Sequence, residues 1–176
     1  MTETVENDVQ TEAMSAPESH EIESIIRNRV YGSMALGLVP IPAFDIAALT
    51  AIQVELLYRL AEAYGVPFKK EWGKKAVGVI LSVALPGLFT PSLRNLVRYI
   101  PVIGPGLNMV SWPLTLGAST YAIGVVFAKH FASGEDFLTC DFSKMGEQVK
   151  DGYKKGVDKV KGWVKGDKEE KAQATS

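Results

Sequence analysis

Two long stretches without a charged side chain, each cut by proline and glycine, constrain this chain more than any other feature. The first runs from Ala76 to Leu93 and carries Pro86-Gly87 and Pro91. The second runs thirty residues from Tyr99 to Ala128, between Arg98 and Lys129, and carries Gly104-Pro105-Gly106 and Trp112-Pro113. One helix through the second would be roughly 45 Å long at about 1.5 Å per residue, against a ~30 Å hydrocarbon thickness, so an interruption at its prolines is expected. Leu107 to Ala128 alone has the length of a bilayer-spanning helix. Ala76 to Leu93 would reach about 27 Å if continuous, and its prolines leave two readings open, a second span or a hairpin dipping into one leaflet.

The segments around these runs read as helices. Ser15-Ala16-Pro17-Glu18 has the form of a capping box, opening a helix with inward positions Ile22, Ile25, Ile26, Val30, Met34 and Leu38 that stops at Val39, before Pro40-Ile41-Pro42. A second helix restarts after Pro42 with Asp45 in its first turn, where a carboxylate meets the positive end of the helix dipole. Its stripe is Ile46, Leu49, Ile52, Leu56, Leu60 and Ala63, with Glu55 and Arg59 in the favourable i,i+4 order, and Gly65 and Pro67 stop it. A carboxylate at a bilayer centre costs about 2.5 to 3.5 kcal/mol, so Val30 to Phe44 reads as one arm of a proline-turn hairpin packed on protein or at the interface.

Charge is segregated. The net charge is -1, yet the first 23 residues hold seven acids and no Lys or Arg, whereas Lys144 to Lys168 holds eight lysines against four acids. Lys69, Lys70, Trp72, Lys74 and Lys75 immediately precede the first uncharged run, a composition typical of a membrane edge. Beyond Gly134, the residues Phe142, Met145, Val149, Tyr153, Val157, Val160 and Val164 form a helical stripe beside lysines, with Trp163 next to it. Such a helix suits an anionic membrane surface, with Lys154, Lys161 and Trp163 among its contacts. Gly146, Gly152, Gly156 and Gly162 each lower its helicity by about 1 kcal/mol relative to Ala, so it is expected to fold on a surface.

The expected architecture is all-α: Pro/Gly-interrupted hairpins inserted in a membrane, and a C-terminal amphipathic helix. The divisions are an acidic disordered tail (1–18), a helical membrane-associated domain (19–138) and a lysine-rich helix with a disordered end (139–176). Should both runs span, the lysine loop and lysine tail lie on one side, and positive-inside asymmetry places both termini in the cytosol at the cytoplasmic or an intracellular membrane. The competing reading makes the uncharged runs buried helices of a soluble bundle.

No catalytic, metal or cofactor constellation emerges. His20 and His130 are far apart in sequence, read as surface residues, and have no His, Cys or carboxylate at metal-binding spacing; Cys140 is the sole cysteine, and no Gly-Lys-Ser/Thr follows the glycine pairs. Nucleic acid is disfavoured, because acids interleave the lysine tail and an apolar stripe runs along it.

Val39-Pro40-Ile41-Pro42-Ala43-Phe44-Asp45-Ile46-Ala47-Ala48-Leu49-Thr50-Ala51-Ile52-Gln53, with Leu60-Ala61-Glu62-Ala63-Tyr64-Gly65-Val66, resembles the bacterial domain of unknown function 697, the YcjF-like family. Ile100-Pro101-Val102-Ile103-Gly104, Ser119-Thr120-Tyr121-Ala122-Ile123-Gly124 and Phe131-Ala132-Ser133-Gly134 extend the match, which covers Ile25 to Phe137. The resemblance implies a helical, often membrane-embedded module that works with a GTPase, here supplied in trans, and marks Pro40, Pro42, Asp45, Gln53, Tyr64, Gly65, Gly104, Thr120 and Gly124 as motif positions. The function expected is that of a non-enzymatic membrane adaptor or organiser whose partners are the bilayer, a cytosolic protein such as a GTPase, or further copies of itself. The alternative is a soluble helical module that holds a lipid or partner helix in an apolar groove.

Overall fold

A computed structural model describes residues 17–38, 44–84 and 112–174. Among the described residues five helices form: α1 (Ser19–Leu36), α2 (Phe44–Ala63), α3 (Lys70–Ala84), α4 (Trp112–Ala132) and α5 (Phe142–Ala174). The expected acidic tail to Ser15-Ala16, the Pro40-Pro42 turn and the Gly104 turn lie outside the described residues.

Helix α1 starts at an extended Glu18 whose side chain makes no capping bond, and it ends at Gly37, whose N–H donates to the Ser33 carbonyl while the Leu38 N–H donates to that of Ala35. Helix α2 folds back along it, with Ile52 beside Gly32 and Arg29 Nη2 2.7 Å from Glu55 Oε1. The expected Glu55–Arg59 pair does not form: Glu55 reaches across to Arg29, and Arg59 pairs with Glu62 one turn on at 3.2 Å. Gly65 takes φ 66° after α2, a left-handed turn that a side chain would disfavour, and sends the chain into α3.

Helix α4 runs antiparallel to α1, with Gly124 against Ile26, Gly117 against Val30 and Met34, and Pro113 against Gly37. Helix α5 returns antiparallel to α4 and alongside α1. Gly156 sits so close to α4 that a Cβ there would lie 2.8 Å from the Ala118 carbonyl oxygen, a backbone atom that cannot swing aside. The α5 glycines at 146 and 156 are therefore buried, Gly156 against α4, as well as positions of low intrinsic helicity.

These contacts show what packs on the described parts of the uncharged runs. In α4, Ala118, Thr120, Ile123 and Phe127 are wholly buried, as are Ala76, Val77 and Ile80 in α3, all within one core shared with Leu56, Leu57 and Leu60 of α2 and Val160 of α5. Protein lies against these buried positions of both runs. Among the described residues no helix is long and apolar enough to cross a membrane, and residues 85–93 and 107–111 of the expected spans lie outside them. The α5 stripe is likewise spent on the core: Met145, Val149, Val157 and Val160 are buried against α3 and α4, so α5 packs on the rest of the bundle instead of presenting that stripe to a bilayer.

Directionality gives the bundle two unlike ends. At one, α1 finishes and α2 and α4 begin, while α3, the return arm of a hairpin with α2, finishes towards it. We call this the connector end, because residues 39–43 and 85–111 attach to helix termini there. The other, the turn end, holds the α2–α3 and α4–α5 turns.

Candidate functional site

The turn end is closed by aromatic side chains. Phe137, on the α4–α5 turn, lies with its ring centroid 5.2 Å from Phe131, 5.6 Å from Phe68, 5.9 Å from Phe127 and 6.4 Å from Trp72. Trp72, expected at a membrane surface, is therefore half-buried in this cluster, with Lys69 Nζ stacked 4.8 Å above its ring. Lys70, Lys74 and Lys75 are exposed on α3.

The same turn assembles the one Cys–His–carboxylate cluster among the described residues. Gly134 (φ 79°) reverses the chain, and Asp136 Oδ1 accepts the backbone N–H groups of Leu138 and Thr139 at 2.8 and 3.1 Å. This brings Cys140 back to His130, with Sγ 3.2 Å from Nε2, while Glu135 Oε2 stands 2.7 Å from Nδ1. The sequence reading of His130 as a surface residue without such neighbours is corrected here: its side chain is only 10% exposed. A turn of ten residues hid the approach from any linear spacing rule.

The cluster has the parts of a nucleophile–base–carboxylate arrangement, but its hydrogen bonds oppose that chemistry. Nε2 lies 2.8 Å from the Asp136 carbonyl oxygen, a partner that competes with the Cys140 thiol for that ring nitrogen. Burial, reinforced by the Asp136 and Glu135 carboxylates, pushes the Cys140 thiol up to about 12. It is the thiol and not the nucleophilic thiolate at neutral pH. Among the described residues no group of three or more His, Cys, Asp or Glu side chains is placed to hold a metal ion.

A polar clasp joins α5 to α1. Lys159 Nζ lies 3.0 Å from Glu23 Oε1, Trp163 Nε1 donates to the same oxygen at 3.2 Å, and Tyr31 donates to Asp167 Oδ2 at 2.5 Å. Arg27 pairs with Asp167 and lies over the Trp163 ring, which also packs edge-on to Tyr121 at 5.6 Å. The hydrogen bond from Lys159 chiefly holds the Glu23 carboxyl below its ordinary range. Trp163, expected at a membrane surface, is thus engaged by three helices; Lys154 and Lys161 remain exposed.

The described motif positions play structural parts. Gln53 is wholly buried and its amide makes no hydrogen bond, Tyr64 packs against Phe131 at 6.3 Å, and Thr120 donates to the Leu116 carbonyl at 2.9 Å. Gly124 leaves room for Ile26, which a Cβ would meet at 2.9 Å. For Asp45 only its place in the first turn of α2 is described.

Near the connector end, Met34 of α1, Leu114 of α4 and Val164 of α5 floor an open groove of about 280 Å³ bordered by Lys161, Lys165 and Lys168. Lys165 and Lys168 were not singled out from the sequence, although the i, i+4, i+7 spacing from Lys161 signals a shared helix face. The two sets of lysines expected at one membrane surface are therefore separate: Lys69 and Lys70 open α3 at the turn end, and Lys161 lies towards the connector end.

Magnetosome membrane protein 22 of Magnetospirillum gryphiswaldense is 36% identical to this chain over 135 residues, covering 76% of this chain and 69% of that protein. The chain belongs to the magnetosome membrane protein 22 family. No protein-family model matches it, and no solved structure does.

Proposed function

We propose that this member of the magnetosome membrane protein 22 family is a non-enzymatic organiser associated with an intracellular bacterial membrane. The observation that carries the reading is the gathering of helix termini at the connector end. Residues 39–43 and 85–111, whose only charges are Arg94 and Arg98, attach to the folded bundle at that end. An apolar sequence tethered to one pole supplies membrane attachment and leaves the rest of the bundle to face other proteins. The relative's name, a magnetosome membrane protein, supports the location.

A non-catalytic role is supported by the Cys140–His130–Glu135 cluster, whose buried thiol, flanked by carboxylates, disfavours nucleophilic chemistry. The resemblance to the YcjF-like family adds a GTPase supplied in trans as the class of cytosolic partner. Fractionation of cells producing the full chain tests the membrane reading: the protein is expected to sediment with membranes and to resist a high-salt wash. Recovery wholly in the soluble fraction at low salt would contradict it.

A further inference from the structure

We propose that the groove between α1, α4 and the C-terminal half of α5 binds an anionic phospholipid, its acyl chain on Met34, Leu114 and Val164 and its phosphate among Lys161, Lys165 and Lys168. The proposal rests on the membrane-associated reading above and names the lipid chemistry that the bundle itself recognises. Three observations support it.

The lysines are placed and available. Spaced i, i+4 and i+7, they lie on one face of α5 within about 10 Å along its axis. Of the nearby acids, Asp167 is held by Arg27 and Tyr31, and Glu169 meets only Lys165, at 3.8 Å between two exposed side chains. Lys161 and Lys168 have no carboxylate partner among the described residues.

The groove is amphiphilic in the required sense. A free phosphate would make no use of an apolar floor, and an apolar peptide would make none of three lysines; an anionic amphiphile uses both. Its position is the third support. It adjoins the Gly37–Pro113 contact, where the apolar connectors attach, and Leu38 beside that contact is 73% exposed. A membrane at the connector end would present headgroups and chains at the height of the groove.

The test uses the full chain, with sedimentation on vesicles of phosphatidylcholine alone or mixed with phosphatidylglycerol. The variant Lys161→Gln/Lys165→Gln/Lys168→Gln is compared with Lys70→Gln/Lys74→Gln/Lys75→Gln, which removes equal charge from α3. All six side chains are exposed, and thermal melting verifies that both variants fold. Each lysine near an anionic surface contributes roughly fivefold, so the groove variant is expected to bind phosphatidylglycerol vesicles about 100-fold more weakly, and the α3 variant within about threefold of wild type. Equal losses in both variants, or none in the groove variant while wild type still binds, would overturn the groove and leave membrane association standing. Failure of wild type to bind either vesicle would overturn both. Glycerophosphoglycerol, the headgroup without chains, is expected not to displace the protein; displacement by it would remove the apolar floor from the site.

Discussion

The two ends of the bundle solve chain reversal in opposite ways. At the turn end, short connections are fixed by their own chemistry: left-handed glycines at 65 and 134, the Asp136 carboxylate on two backbone N–H groups, and Phe137 set among Phe68, Trp72, Phe127 and Phe131. At the connector end, helices meet through a backbone contact between Gly37 and Pro113 and an open lysine-bordered groove, and the chain continues into Pro/Gly-rich apolar sequence. Aromatic burial belongs to the end that holds the bundle together. Apolar sequence beside exposed lysines belongs to the end that meets something else.

If that division is right, damage at the turn end is global and damage at the connector end is local. The largest effect is expected from Phe137→Ala, which removes a ring only 5% exposed from the centre of the aromatic cluster: a loss of about 3–5 kcal/mol in denaturant unfolding. A loss under about 1 kcal/mol would show that the cluster does not hold the bundle. Next is Gly37→Ala. Gly37 has ordinary helical φ, so the cost is steric alone, from a Cβ 2.7 Å from Pro113 Cα, and about 1–3 kcal/mol is expected.

Smaller still is Asp167→Asn, which frees Arg27 and weakens the clasp between two partly exposed helices. Below about 1 kcal/mol is expected globally, with faster amide exchange confined to the last turns of α5. Acid should act on the same clasp. Because Glu23 titrates below its unfolded value, its contribution is present above the ordinary carboxylate range and is lost as pH falls through the lowered folded value. The Trp163 indole N–H resonance, which reports the bond to Glu23, should shift there, and an unshifted resonance would remove Glu23 from the clasp.

Much of the helical order was readable in the sequence, because proline and glycine punctuate it. Pro42 and Gly65 bracket α2, and Ile22, Ile26, Val30, Leu56, Leu60 and the α5 stripe all face inward. Periodicity identifies a buried face without naming what buries it, which is why the apolar stripes of α4 and α5 read equally as membrane contacts. Helix-to-helix approach shows what packs on the buried positions, and it depends on Gly117, Gly124 and Gly156, which in sequence look like weak helix formers. Leu38 fits the α1 period yet is exposed, because the helix ends at Leu36. The clasp pairs residues about 140 positions apart and left no local signal.

Leu38 and Leu138 offer the most direct test, since each is 73% exposed and they lie at opposite ends. With Cys140→Ser as background, an environment-sensitive fluorophore would be placed at Leu38→Cys or Leu138→Cys and the labelled proteins mixed with vesicles containing phosphatidylglycerol. The account predicts a blue shift and loss of aqueous quenching at position 38, with position 138 unchanged. Burial of the label at position 138, with position 38 left in water, would contradict it.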